Sequence, residues 1–194
     1  ESGLPTFRGE GGIWDTIDAE KVADYRSWYC GRRSDCNEKR QAELAKPPGS
    51  LGKLEEISIQ LAGITGSVKN TIEKRRIIVM CADNGVFEEG VSSSPQSVTL
   101  AQTINLTRGL TGCAVLAAHY GSELQEVDVG VNADINCSAV VNRKIAYGTK
   151  NLVKEPAMTR EEAVRAILVG IEMAEKAAED NVSNVGVVEL GICN

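Results

Sequence analysis

The sequence predicts an α/β protein: a parallel, Rossmann-like sheet with flanking helices and a small N-terminal helical appendage, the sheet left incomplete within this chain. Three observations carry this. Ile77 to Cys81 is an unbroken apolar run rather than an alternating one, as in a strand covered on both faces of a parallel sheet. It passes at once into Asp83-Asn84-Gly85, and ligands of open parallel sheets bind beyond the carboxyl ends of the strands. Finally, a capping box at Thr159 and Glu162 opens a long helical pattern that leads to a second apolar run, Val185 to Val188, the order of a βαβ crossover.

Composition bounds the function. The 194 residues are 42% hydrophobic and 25% charged, ordinary for a globular chain with one core. Three stretches are expected: a flexible tail at 1–12, a small helical region at 13–50 and the α/β domain at 51–194. A net charge of −6, with no run of consecutive basic residues longer than Lys74-Arg75-Arg76, argues against a nucleic-acid partner. Six cysteines without a C-x-x-C pair and a single histidine, His119, lack zinc-ligand spacing, so neither a metal nor another cofactor is expected. Cys81 and Cys113 lie in apolar runs and suggest a reduced, cytoplasmic protein, with a Cys30 to Cys36 disulfide as the alternative. No apolar stretch approaches the roughly 20 residues that span a bilayer, so no membrane association is expected.

Taken in order, helices are expected at Ala19 to Trp28 and, after an N-cap at Ser34, at Asp35 to Ala45. Trp14, Tyr25, Trp28 and Tyr29 would pack this appendage. Lys46-Pro47-Pro48-Gly49 is a stiff break, either a plain linker or a loop toward a ligand. Ser50 would cap a helix burying Leu51, Leu54, Ile57, Leu61 and Ile64. Beyond the first strand, Ser94-Pro95 reads as N-cap and first helical position. Gln102 lies on this helix, as a boundary residue or a group aimed at a ligand. Cys113 to His119 is small and apolar, hence expected buried, with Gly121 at its C′ position. Leu124 to Val129 alternates, which suggests an edge strand with a polar face carrying Asp128. Short strands are expected at Ala139 to Val141 and Lys144 to Ala146. The capped helix should run to about Ala178, burying Ala163, Ile167, Ile171 and Ala174, before the buried strand at Val185. That strand enters Glu189-Leu190-Gly191 and the chain stops at Asn194, which suggests a truncated chain, a fragment or one half of a split site.

Several stretches together resemble the nicotinate-nucleotide:dimethylbenzimidazole phosphoribosyltransferase family. They are Lys46-Pro-Pro-Gly-Ser-Leu-Gly52, Ala82-Asp-Asn-Gly-Val86 with Glu89-Gly-Val91, Ser94-Pro95 with Gln102, Thr107-Arg-Gly109 before Thr111-Gly112, Val127-Asp-Val-Gly130, and Glu189-Leu-Gly191 with Asn194. The resemblance covers residues 38 to 194 and corresponds to the N-terminal portion of longer relatives. It implies transfer of ribose phosphate from nicotinate mononucleotide to 5,6-dimethylbenzimidazole or a similar lower-ligand base of cobamides, in a cytoplasmic homodimer. By the same resemblance, Ser94 and Gln102 line the base pocket, Leu190 covers it, and Glu189 with the Gly191 backbone faces the nucleotide. Asp83 is structural or forms part of the pocket. Glu189 has a supporting catalytic role, because the family's general base, a Glu, lies outside this chain. Asn84 departs from the His that relatives often carry.

The chemistry suits these residue types. A pyridinium leaving group is already cationic, so attack at C1′ is mainly a matter of positioning, with a base to take the proton from the second ring nitrogen. Two alternatives stand beside this reading. One is a non-catalytic base-binding half that needs a partner chain; the other is a related enzyme accepting phenolic or purine bases. In either case the isolated chain is expected to be inactive.

Overall fold

The computed structural model describes residues 34–194. The expected tail at 1–12, the helix at Ala19 to Trp28, its aromatic residues and the Cys30 to Cys36 pairing lie outside the described residues. The chain divides into two compact units, with the boundary between Thr71 and Ile72.

The first unit holds helices α1 (Ser34–Glu43) and α2 (Lys53–Thr65). The start of α2 differs from expectation. Gly52 occupies the N-cap at φ 52° without a side-chain cap, and Glu55 takes over, accepting from Leu51 N at 3.1 Å and from Lys46 Nζ at 2.7 Å. Ser50 therefore does not cap the helix. The expected stripe is not buried either: Leu54 is 64% exposed and Ile57 49%. The described contact with α1 includes a polar pair, Gln41 Nε2 donating to Ser58 Oγ at 2.7 Å.

The second unit is a four-stranded sheet of order β3-β2-β1-β4, every pairing parallel. Its elements are β1 (Arg75–Ala82), α3 (Ser97–Thr107), α4 (Gly112–His119), β2 (Glu123–Gly130), β3 (Val141–Asn142), α5 (Arg160–Glu179) and β4 (Asn184–Leu190). β1 is central, and both of its faces are covered as the apolar run predicts. Val79 and Cys81 pack with Leu106, Ala114 and Val131 on the side of α3 and α4; Ile78 packs with Val127, Val169 and Met173 on the side of α5. Burial pushes the Cys81 thiol up to about 11. At the opposite end, Arg76 binds Glu123 and Asp180, both at 2.7 Å, and so ties the starts of β1 and β2 to the end of α5.

Several local expectations are corrected. β2 is an interior strand between β1 and β3, and its polar residues Glu126 and Asp128 are buried at 5% and 1% exposure. Alternation misled here because Lys144 supplies the ion pair that lets Asp128 go inside. β4 is an edge strand among the described residues and Val187 is 74% exposed, so within them that apolar run is not buried. α4 buries only Ala114 and Ala117, leaving Leu116 58% exposed. Its N-cap is Thr111, whose side chain accepts from Ala114 N. The capping box of α5 is present in full, but the buried face is Val169, Met173 and Ala177, with Ala174 exposed. Residues 144–146 form no strand, although Ile145 N still donates to Val129 O.

Glu126 has a consequence for stability. Its burial holds the carboxyl above its ordinary value of 4.5. A carboxyl raised in the folded state contributes stability that is full below the unfolded value and is lost as pH rises through the folded one. Glu126→Gln should therefore raise the denaturation midpoint at neutral pH, with the advantage shrinking as pH falls toward 4.5 and essentially gone below it. Equal midpoints for the two chains at both pH extremes would contradict this.

Candidate functional site

The chain leaves β1 by α3 and α4 to reach β2 on one side, and reaches β4 on the other side after α5. Neighbouring connections thus depart in opposite directions between β1 and β4. Such a topological switch point opens a crevice beyond the carboxyl ends of the two strands, where open α/β sheets bind ligands.

A cavity of about 400 Å³ lies beside that point. Gln102 and Leu106 of α3, Thr111 and Cys113 at the start of α4, and Glu189 and Leu190 of β4 are among its walls. Gln102 is only loosely held, its oxygen accepting a long 3.5 Å contact from Asn105. Glu189 is exposed and accepts from the Asn194 side chain. The turn after β4 is pressed onto the end of β1. A side chain at Gly191 would overlap the Ala82 carbonyl, so glycine is required there for packing rather than for its φ.

Asp83 lies beneath the crevice at 2% exposure. Its Oδ2 accepts from Asn132 N at 2.8 Å, its backbone N donates to Gly130 O, and its carbonyl accepts from Thr149 N. Asn132 in turn donates to Gln96 Oε1 at 2.9 Å, just ahead of α3. Ser94 sits in the loop leading there, in a turn where its backbone N donates to Ser92 Oγ and its carbonyl accepts from the same hydroxyl. Ser94 caps no helix: Gln96 is the N-cap residue of α3, without a side-chain cap. The structure thus brings Gln102, Glu189 and Leu190 onto one cavity, with Gly191 adjoining it. Asp83 and Ser94 are not among the cavity's walls.

Sequence reasoning gave Thr99 no role and attached only a departure to Asn84. Thr99 is 1% exposed, and its Oγ1 accepts from Ile192 N at 3.1 Å; Asn84 Nδ2 donates to Ile192 O at 3.1 Å. Ile192 is 93 residues from Thr99 and 108 from Asn84, so no local spacing could mark these contacts. Among the described residues, no group of three or more His, Cys, Asp or Glu could hold a metal ion, and no helix is long and apolar enough to cross a membrane.

The sequence model of a family described as Phosphoribosyltransferase matches residues 33–194. Proteins called nicotinate-nucleotide–dimethylbenzimidazole phosphoribosyltransferase are close in sequence. That of Clostridium tetani is 50% identical over 155 residues, 80% of this chain and 43% of the relative. That of Clostridium perfringens (strain ATCC 13124) is 54% identical over 155 residues, with the same shares. The chain belongs to this family. A solved member, the nicotinate-nucleotide–dimethylbenzimidazole phosphoribosyltransferase of Thermus thermophilus, superposes with a TM-score of 0.81 at 36% identity. The match covers 85% of this chain and 50% of that one. The chain spans less than half the length of the curated relatives above. Because Gly191 adjoins the cavity through backbone packed on β1, Gly191→Ala should cost about 1–3 kcal/mol. Urea denaturation checks this, and an unchanged midpoint would show that the turn can move away.

Proposed function

We propose that this chain supplies the base- and nucleotide-facing walls for transfer of ribose phosphate from nicotinate mononucleotide to 5,6-dimethylbenzimidazole or a similar lower-ligand base, giving α-ribazole 5′-phosphate and nicotinate. The observation that carries this reading is the convergence of Gln102, Glu189 and Leu190 on one cavity at the switch point. In this reading the Gln102 amide meets the ring edge of the base and Leu190 lies against its face. Glu189 and the Gly191 backbone face the nucleotide. Ser94 and Asp83 belong to the pocket's surroundings, Asp83 through the Asn132 to Gln96 contact that leads to the Ser94 loop.

The reaction asks for alignment more than for activation. The pyridinium nitrogen of nicotinate mononucleotide leaves as a neutral ring, so the bond from C1′ weakens without an added acid. A base nitrogen attacks the opposite face, inverting β to α, and the proton on its second nitrogen goes to a general base. That general base lies outside these 194 residues, and Glu189 supports the nucleotide. A homodimeric state and a cytoplasmic setting belong to the same proposal. The free thiols of Cys81, Cys113, Cys137 and Cys193 favour a reducing compartment, and the charge of −6 disfavours nucleic acid.

Two measurements test the reading. In a chain completed to the length of its relatives, Gln102→Ala should raise KM for the base by roughly 3- to 10-fold, the value of one hydrogen bond, and leave KM for nicotinate mononucleotide unchanged. Equal losses for both substrates would refute the pocket assignment. The 194-residue chain alone should form no α-ribazole 5′-phosphate; turnover by it would refute the placement of the general base. Turnover regained on adding a separate second polypeptide would instead favour a base-binding subunit.

A further inference from the structure

We infer that Asn84 and Thr99 are positioning residues that grip Ile192 from two elements and so set the direction of the turn that begins at Gly191, directly after the wall residues Glu189 and Leu190. This rests on the proposed reading of those three residues as walls of the substrate site.

The grip is built from both polar groups of one residue. Ile192 donates its N–H to Thr99 Oγ1 and accepts from Asn84 Nδ2, each at 3.1 Å. Thr99 lies on the buried side of α3 at 1% exposure, and its carbonyl accepts from Thr103 Oγ1 at 2.8 Å. Asn84 lies two residues beyond the end of β1 in extended backbone, at φ −115° and ψ 126°. Its amide also lies 3.4 Å from Asn194 Oδ1, and Asn194 donates to Glu189. A line of amides therefore runs from the central strand to the Glu189 carboxylate.

The grip lies where the described sheet gives out. Among the described residues β4 pairs only with β1, and that register ends at Cys81 and Leu190. Beyond Leu190 no ladder holds the chain, yet the residues just before that point wall the cavity. Gly191 permits the close approach to Ala82, and the two side chains then fix the turn. Asn84 acts here as a hydrogen-bond donor, a role that requires no proton transfer.

Isosteric substitutions separate the grip from folding. Thr99→Val removes the acceptor and Thr99→Ser keeps it. Asn84→Asp replaces the donor with an acceptor, whereas Asn84→His keeps an N–H at the same branch point. In the 194-residue chain, amide hydrogen exchange at Ile192 should quicken by roughly 3- to 10-fold in Thr99→Val, the worth of one hydrogen bond, and stay at the wild-type rate in Thr99→Ser. In a chain completed to the length of its relatives, Thr99→Val and Asn84→Asp should lower kcat more than they raise either KM, with Thr99→Ser and Asn84→His restoring it. Unchanged exchange at Ile192 in Thr99→Val overturns the grip. Faster exchange with unaltered kcat overturns its positioning role. A completed wild-type chain that forms no product refutes the proposed function instead, and the exchange measurement still decides whether the grip exists.

Discussion

The structure depends on how the backbone is satisfied where the parallel strands end. A ladder cannot continue past the last paired residue, and backbone polar groups buried there without partners are costly. Two buried aspartates answer this. Asp128 accepts from Gly130 N and Val131 N at the end of β2, and Asp83 accepts from Asn132 N one residue further along. For Asp128, which is 1% exposed, the charge is met by a cation. Lys144, itself largely buried, lies 2.8 Å from Asp128 Oδ2 and also donates to the Val131 carbonyl. Breaking such a pair costs more than forming it gains, since it strands a charge in the interior.

From this constraint the rest of the crevice follows. With Gly130 to Asn132 held to Asp83 and Asp128, the segment at 148–151 is held too, because Thr149 N bonds the Asp83 carbonyl and Gly148 N bonds Gly130 O. Gly85 packs so closely against Thr149 and Lys150 that no side chain would fit. One edge of the crevice is thereby rigid on both sides of β1. The other edge, after β4, has no strand beyond it among the described residues and is held by the side chains of Asn84 and Thr99 instead.

What the sequence made legible follows the range of the interactions. β1, the capping box of α5 and the polar residues at strand ends depend on near neighbours, so pattern alone found them. The position of β2 was misread because its alternation reports burial only when polar residues lack partners, and Lys144 lies 16 residues from Asp128. The starts of α2 and α3 were misread for a related reason. Ser50 and Ser94 are competent caps, but Glu55 satisfies the first helix's start and Ser92 occupies the backbone of Ser94. In the candidate site, Gln102 and Glu189 were legible through family resemblance, whereas Asn84 and Thr99 act on Ile192 across about a hundred residues.

The molecule has a second cavity, of about 300 Å³, walled by Ala82, Val129, Ile145, Ala157 and Met158 together with Lys150 and Glu162. It is the more enclosed and apolar of the two, which by itself would favour it as a ligand site. Its polar groups are already committed. Lys150 pairs with Glu155 at 2.9 Å, and Glu162 closes the capping box by accepting from Thr159 N at 2.7 Å. A ligand entering there would find shape without chemistry. The cavity at the switch point differs through Gln102, which is bound only at 3.5 Å, while the exposed Glu189 is met by the Asn194 side-chain amide. Orientation of a heterocycle and a ribose phosphate needs polar groups free to turn toward them. That is why the less enclosed cavity, between β1 and β4, is the one around which the functional reading is built.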